Sequence, residues 1–162
     1  MTPRRRKRLD PAVFQLPSDE LKTGRYADRF GALAAEVIRG SRAKHRVLLQ
    51  VTAKQDGWLS GIDEAIAILK QGAEDWDALT VKALYEADPL EAWDTVMTIE
   101  GDYATFAHLE TLYLGVLGHR TRVCTNVREV VEAARPKAVM FLGARDEHWI
   151  MQQGDGFAAM IA

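Results

Sequence analysis

The chain has 162 residues, 48% hydrophobic and 27% charged, with one cysteine and a formal net charge of −2. That suffices for one domain with a real core, excludes an internal disulfide, and fits a reducing, cytoplasmic setting. No apolar stretch approaches the roughly 20 residues of a membrane span, and no signal-peptide core follows the basic start.

That start hides an asymmetry. Arg4, Arg5, Arg6, Lys7 and Arg8 supply five of the 21 basic residues, leaving 16 against 23 acidic ones, a net −7. Such a run can bind nucleic acid or act as a localisation tag, but more often it is a solvated, disordered start. No basic pattern follows it, which argues against nucleic acid. Residues 1–10 therefore read as a disordered basic tail.

A helix is expected from Gly24 or Asp28 to Ile38, with Phe30, Leu33, Ala34 and Val37 on one face and Gly40 as its stop. Residues 46–54 are strand-like, and Gln55-Asp56-Gly57 reads as a tight hairpin turn into Trp58, Leu59 and Ser60. Ser60 is a candidate N-cap for a helix over 62–70, with Asp63 and Glu64 in its first turn. Val81, Ala83 and Tyr85 alternate with Lys82 and Leu84 as a further strand before an Asp88-Pro89 turn. Residues 90–99 return as another strand, ending at the acidic turn Glu100-Gly101-Asp102.

Two paired helices are expected next. In the first, Phe106, Leu109, Tyr113 and Val116 or Leu117 share one face, and the second covers about 126–134. Around the junction, Arg120, Thr121, Arg122, Thr125 and Asn126 gather positive charge, hydroxyls and an amide. That chemistry suits an anion, and it equally suits a solvated helix end in which Thr125 and Asn126 cap the next helix. Pro136 punctuates, and residues 138–142 form an unbroken apolar run suited to a strand covered on both faces. Residues 156–162 are apolar and helix-forming without a terminal cap, so the chain reads as a truncated or split piece completed elsewhere. Cys124, between Val123 and Thr125, reads as a packed small residue rather than a nucleophile. His45, His108, His119 and His148 are scattered, with no two at i,i+4 and no paired cysteines, which argues against a metal held by protein ligands.

Four ordered motifs carry a family resemblance. Ile99-Glu100-Gly101-Asp102-Tyr103 is followed by Leu109-Glu110-Thr111, Leu114-Gly115, Arg120-Thr121 and Thr125-Asn126-Val127-Arg128. Upstream stand Val13 to Pro17, then Gly24-Arg25-Tyr26-Ala27-Asp28-Arg29-Phe30, then the helix opening at Gly61. Downstream stand Gly143-Ala144-Arg145-Asp146-Glu147-His148-Trp149 and Gln153 to Phe157. Together these resemble the N-terminal portion of the nicotinate phosphoribosyltransferase family, within the type II phosphoribosyltransferase superfamily.

The resemblance implies an α+β fold: an N-terminal mixed-sheet domain over residues 11–125, with helices, leading into the first βα unit of an incomplete α/β barrel over 126–162. It implies the joining of nicotinate to phosphoribosyl pyrophosphate, giving nicotinate mononucleotide and pyrophosphate in NAD salvage. Nicotinamide or quinolinate is the alternative substrate, and a non-catalytic dimerisation or binding module the alternative class. By the same resemblance Arg145 and His148 are catalytic, with Arg145 the principal anion clamp at a strand end. At least one of Arg120 and Arg122 reaches phosphoribosyl pyrophosphate or acid product. Asp28 and Phe30 join the substrate-binding set. Phe30, where the family usually has Tyr, stacks on the pyridine ring from a neighbouring subunit or else packs with Leu33 and Val37 as core, and Tyr26 is the alternative for the stacking role. Thr125 and Asn126 join the substrate-binding set. His119 departs from the family, which often has an arginine there. Mg2+ would arrive on the pyrophosphate, held largely by phosphate and water, and ATP is implied as an activating co-substrate. The implied assembly is a homodimer, or association with a missing C-terminal half that carries the glycine-rich phosphate loops.

Overall fold

The computed structural model of the chain describes residues 7–41 and 45–162. Arg4, Arg5 and Arg6 of the basic run lie outside the described residues. At its end the run is anchored rather than loose. Arg8 ion-pairs with Asp63 (3.0 Å), donates to the carbonyls of Ala83 (2.8 Å) and Leu84 (2.6 Å), and lies over the Tyr85 ring. The Leu9 amide adds a bond to Asp63 (2.9 Å). The sequence shows only a charge run; the carboxylate and carbonyls that hold Arg8 are 55 and more positions away.

A short helix, α1 (Ser18–Lys22), leads to α2 (Arg29–Gly40). Asp28 caps α2, its carboxylate accepting from the Gly31 amide at 2.7 Å. The helix turns Gly31 and Ala35 inward, where a β-carbon at Gly31 would stand 2.6 Å from the Ala107 carbonyl. Its larger apolar residues face the other way. Phe30 is 73% exposed, Val37 71%, and Leu33 also faces solvent, so the face named by spacing is not this chain's core.

Strand β1 (Arg46–Thr52) pairs antiparallel with β5 (Thr95–Asp102), which pairs antiparallel with β3 (Thr80–Ala83). The order is β1-β5-β3, with β5 central. Alternation sorts the side chains. Leu49, Ile99 and Val81 meet in one row and Val51, Met97 and Ala83 in the next, toward the core. Gln50, Thr98 and Lys82 align on the opposite, outer face. Every pairing among the described residues is antiparallel, so the sheet is not mixed.

The expected hairpin at 55–57 does not close on β1. Gly57 and Trp58 form β2, which pairs with β4 (Pro89–Leu90) as a separate ribbon. Residues 90–99 accordingly split between β4 and β5, with a turn at 91–94 in which the Glu91 amide donates to Asp94.

Helix α3 (Ile62–Gly72) packs Ile62, Ala65, Ile68 and Leu69 into the core. Its N-cap is Gly61 at φ 84°, with no side-chain cap of its own, and not Ser60. The cap comes from the turn after β3: the Glu86 carboxylate accepts from the Gly61 and Asp63 amides, both at 3.1 Å. Burial raises the Glu86 carboxyl above its ordinary value, so two backbone donors hold a carboxylate that solvent reaches poorly. Helix α4 (Glu110–Ala134) is one helix of 25 residues where two were expected, and α5 (Gln152–Ile161) packs against it.

Residues 138–142 form exposed coil rather than a buried strand. A strand needs a ladder partner for its amides and carbonyls, and among the described residues no neighbouring strand pairs with this run. Among the described residues no helix is long and apolar enough to cross a membrane.

Replacing Glu86 by Ala should lower stability by about 1–3 kcal/mol, because two amides at a buried helix start lose their acceptor. Urea denaturation measures this. The raised Glu86 carboxyl means that its contribution to stability is fullest below pH 4.5 and falls as pH rises through the folded value. Glu86→Gln should flatten that part of the stability–pH profile.

Candidate functional site

Helix α4 carries the site because its faces serve different neighbours. Tyr113, Leu117, Arg120 and Cys124 recur at helical spacing and point inward. The next stripe, Leu114, Gly118, Thr121, Arg122, Thr125 and Asn126, lines a cleft of about 620 Å³. Buried Val51, Leu59, Leu90, Val96 and Leu117 form its floor; Lys54, Gln55 and Asp56, from the turn after β1, and Arg122 and Asn126, from α4, are the exposed residues of its rim. Asp56 is engaged by the Ala92 amide at 2.8 Å. The remaining donors at the rim are an ammonium, a guanidinium and two amides, a set that suits an anion over an apolar body.

The two threonines fix the wall. The Thr125 hydroxyl accepts from the Trp58 amide (2.9 Å). The Thr121 hydroxyl accepts from the Ser60 amide (3.2 Å) and donates to the Ser60 carbonyl (3.1 Å). One helical turn apart, they fasten the β2 segment along α4, with the Arg128 guanidinium stacked 3.4 Å from the Trp58 ring centre. Gly57 is required there, since a β-carbon would lie 2.6 Å from the Thr125 hydroxyl. Thr125 and Asn126 thus lie inside α4 and do not cap a second helix.

Arg120 is not at the rim. It is 6% exposed, ion-paired to Glu64 of α3 (3.2 Å) and to Asp155 of α5, and it donates to the Met151 carbonyl (3.3 Å). A β-carbon at Gly61 would come within 2.8 Å of its side chain, and one at Gly154 would overlap its guanidinium. Its pKa is raised by these carboxylates, against the opposing effect of burial. The guanidinium is consumed by internal partners, which leaves Arg122 as the exposed arginine of the pair.

The other expected site residues stand apart from the cleft. The Asp28 carboxylate is engaged by the Gly31 amide and the Thr111 hydroxyl, bonds that hold its pKa below the usual value. Tyr26 and Phe30 are exposed beside it. Arg145 is exposed on a short 3-10 turn (Gly143–Arg145), not at the end of a buried strand. His148 caps the next turn, its Nδ1 accepting from the Ile150 amide at 3.3 Å. The structure therefore brings Arg122, Thr125 and Asn126 together, places Arg120 beneath them, and leaves Arg145 with His148, and Tyr26 with Asp28 and Phe30, as two separate groups. Lys54 and Gln55 were missed because Lys54 read only as the end of a strand and Gln55 only as part of a hairpin turn. Cys124 is fully buried and its thiol is pushed up to about 11 by burial, as a packed residue should be.

The two arginines should separate in a denaturation experiment. Arg120→Ala strands Glu64 and Asp155 and should cost about 3–5 kcal/mol of stability. Arg122→Ala, at an exposed position, should stay within about 0.5 kcal/mol of the parent.

A family model described as the quinolinate phosphoribosyl transferase N-terminal domain matches residues 29–121, more than half of the chain. Among solved structures, nicotinate-nucleotide pyrophosphorylase from Pyrococcus furiosus aligns with a TM-score of 0.79 at 27% identity, over 89% of this chain and 37% of its own. NadC from Streptococcus pyogenes aligns at 0.73 and 18% identity, over 96% and 53% respectively. Human nicotinic acid phosphoribosyltransferase aligns at 0.65 and 15%, over 82% and 34%. In the last two the likeness is one of fold. The chain spans about half or less of the length of these structures. A search of curated proteins by sequence gives no match. The match from the first residue of α2 through Thr121, together with the shared α+β fold, assigns the chain to the family of quinolinate phosphoribosyl transferase N-terminal domains.

Proposed function

We propose that this chain supplies the N-terminal part of a phosphoribosyltransferase of NAD synthesis, acting in the cytoplasm, with nicotinate and phosphoribosyl pyrophosphate as substrates. The observation that carries this reading is the cleft beside α4, cationic at its rim and apolar at its floor, within a chain of this family. In the reaction the pyridine nitrogen bonds to the anomeric carbon of the ribose as the bond to pyrophosphate breaks, and the electron pair leaves with pyrophosphate. The transition state resembles an oxocarbenium ion, so the protein's work is to position both partners and stabilise departing charge.

In this reading Arg122 and Lys54 hold phosphate or carboxylate oxygens, with Asn126 and Gln55 donating beside them. Thr125 has one lone-pair contact committed to Trp58 and keeps its hydroxyl hydrogen to donate. Arg145 would clamp a carboxylate in bidentate fashion, with His148 beside it. Phe30 and Tyr26 would offer aromatic faces to the ring. Mg2+ would come with pyrophosphate: the rim's one carboxylate, Asp56, already serves Ala92, so phosphate and water supply most of the ion's ligands. ATP enters through the family resemblance alone. Quinolinate is the second reading, favoured by the description of the matching family model.

Assembly belongs to the same proposal. Phe30, Leu33 and Val37 expose an apolar stripe on α2, and Met140, Leu142, Trp149 and Ile150 are further exposed apolar residues toward the C-terminus. Surfaces of this kind favour association, as a homodimer or with further barrel elements.

The direct test incubates the protein with phosphoribosyl pyrophosphate, Mg2+ and either nicotinate or quinolinate, with and without ATP, and identifies products by mass. Calorimetry on the same substrates reads binding without turnover. Gly118→Leu sharpens both. A β-carbon at Gly118 meets nothing within 4 Å, so the variant should fold with stability equal to the parent or up to about 1 kcal/mol higher, while its side chain fills the cleft. Loss of binding in a stable Gly118→Leu supports the cleft; unchanged binding rejects it. Absence of both binding and product in the parent favours the non-catalytic module.

Light scattering at high micromolar concentration should show an assembly larger than one chain, and Phe30→Asp should shift it toward monomer. A parent that is monomeric under those conditions rejects the assembly.

A further inference from the structure

We propose that His119 is a positioning residue that presents Arg122 to the cleft, with buried Asp155 fixing the imidazole tautomer this requires. The proposal rests on the reading that the cleft takes an anion. Two contacts on one ring carry it. On one side, the Arg122 guanidinium lies 3.3 Å from His119 Nδ1. A guanidinium only donates, so Nδ1 must be the unprotonated acceptor. On the other side, His119 Nε2 lies 2.9 Å from Asp155 Oδ1. A carboxylate only accepts, so Nε2 must carry the hydrogen. A single form of the ring, neutral with hydrogen on Nε2, satisfies both.

Asp155 is well placed to enforce that form. Its side chain is nearly solvent-free and its charge is held by Arg120, itself paired to Glu64. Its second oxygen is buried with no hydrogen-bond partner, so Oδ1 takes both the guanidinium and the imidazole. The ring is therefore oriented from the interior by α5, while its free face meets Arg122 one turn along α4. Arg122 lines the cleft with an exposed, rotamer-rich side chain. Restraining it before binding removes part of the entropy that an anion would otherwise have to overcome. For one rotamer-rich side chain that is about a 2- to 12-fold effect on affinity.

The test uses the full 162-residue chain and inorganic pyrophosphate as probe. Long-range proton–nitrogen NMR of the imidazole should show His119 with hydrogen on Nε2 and a bare Nδ1. Binding of pyrophosphate should weaken about 2- to 12-fold in His119→Leu. His119→Asn, whose amide oxygen stands near the Nδ1 position, should recover most of the loss, which a merely structural role would not predict. The opposite tautomer overturns the proposal, and so does parent affinity in His119→Leu when Arg122→Ala binds weakly; either outcome leaves the cleft as an anion site. Parent affinity in Arg122→Ala overturns the anion reading and the proposal with it. If His119→Leu does not fold, the tautomer and the His119→Asn affinity decide.

Discussion

The Arg120 guanidinium joins three helices at one point. It leaves α4, meets Glu64 on α3 and Asp155 on α5, and closes on the Met151 carbonyl where α5 begins. A buried cation of this kind is costly to desolvate, and its two carboxylates offset that cost only while the geometry holds. The space for it is made by two glycines, Gly61 before α3 and Gly154 in α5, where any β-carbon would displace it. Remove the charge and two acidic groups remain in the interior. The position of α5 relative to the rest of the fold thus depends on an interaction that hydrophobic patterning cannot supply.

From that point the site assembles by neighbourhood along one helix. Arg120 faces inward, so Thr121, Arg122 and Thr125, advanced around the helix by its 3.6-residue period, face the β2 segment and the cleft. Thr125 holds the backbone of β2 at Trp58 and Thr121 holds that of Ser60, so the floor residue Leu59 between them is fixed from both sides. The continuity of α4 is part of the device. Gly115 and Gly118 weaken it locally, each by up to about 1 kcal/mol relative to alanine. Burial of Tyr113, Leu117 and Cys124 on either side of Gly118, together with the Arg120 ion pairs, outweighs that cost and carries the helix through a region that reads as a break.

Two apolar surfaces have no cover within the described residues. The stripe on α2 is amphipathic in the ordinary sense, but the core takes its small residues, Gly31 and Ala35, and not its large ones. Residues 138–142 have strand composition without strand pairing, and Met140 is 79% exposed.

The amino-acid order alone determined the elements whose physics is local. A helix-forming run over 62–70 marks α3, alternation marks β3, and the strand-like runs 46–54 and 90–99 mark β1 and β5. The family motifs were legible for the same reason, being contiguous. The tertiary structure decided everything that depends on partners far apart in the chain. Glu86 caps a helix 25 positions before it, β2 pairs with β4 and not with β1, and Arg120 spends its charge on residues 56 and 35 positions away. Hydrophobic period tells which face of an element is buried, and on α2 not even that when large and small residues compete for the core. It carries no information about which carboxylate answers a given cation. Arg120 and Arg122 are two residues apart and chemically identical, and only the fold buries one in an ion network and leaves the other at the mouth of the cleft.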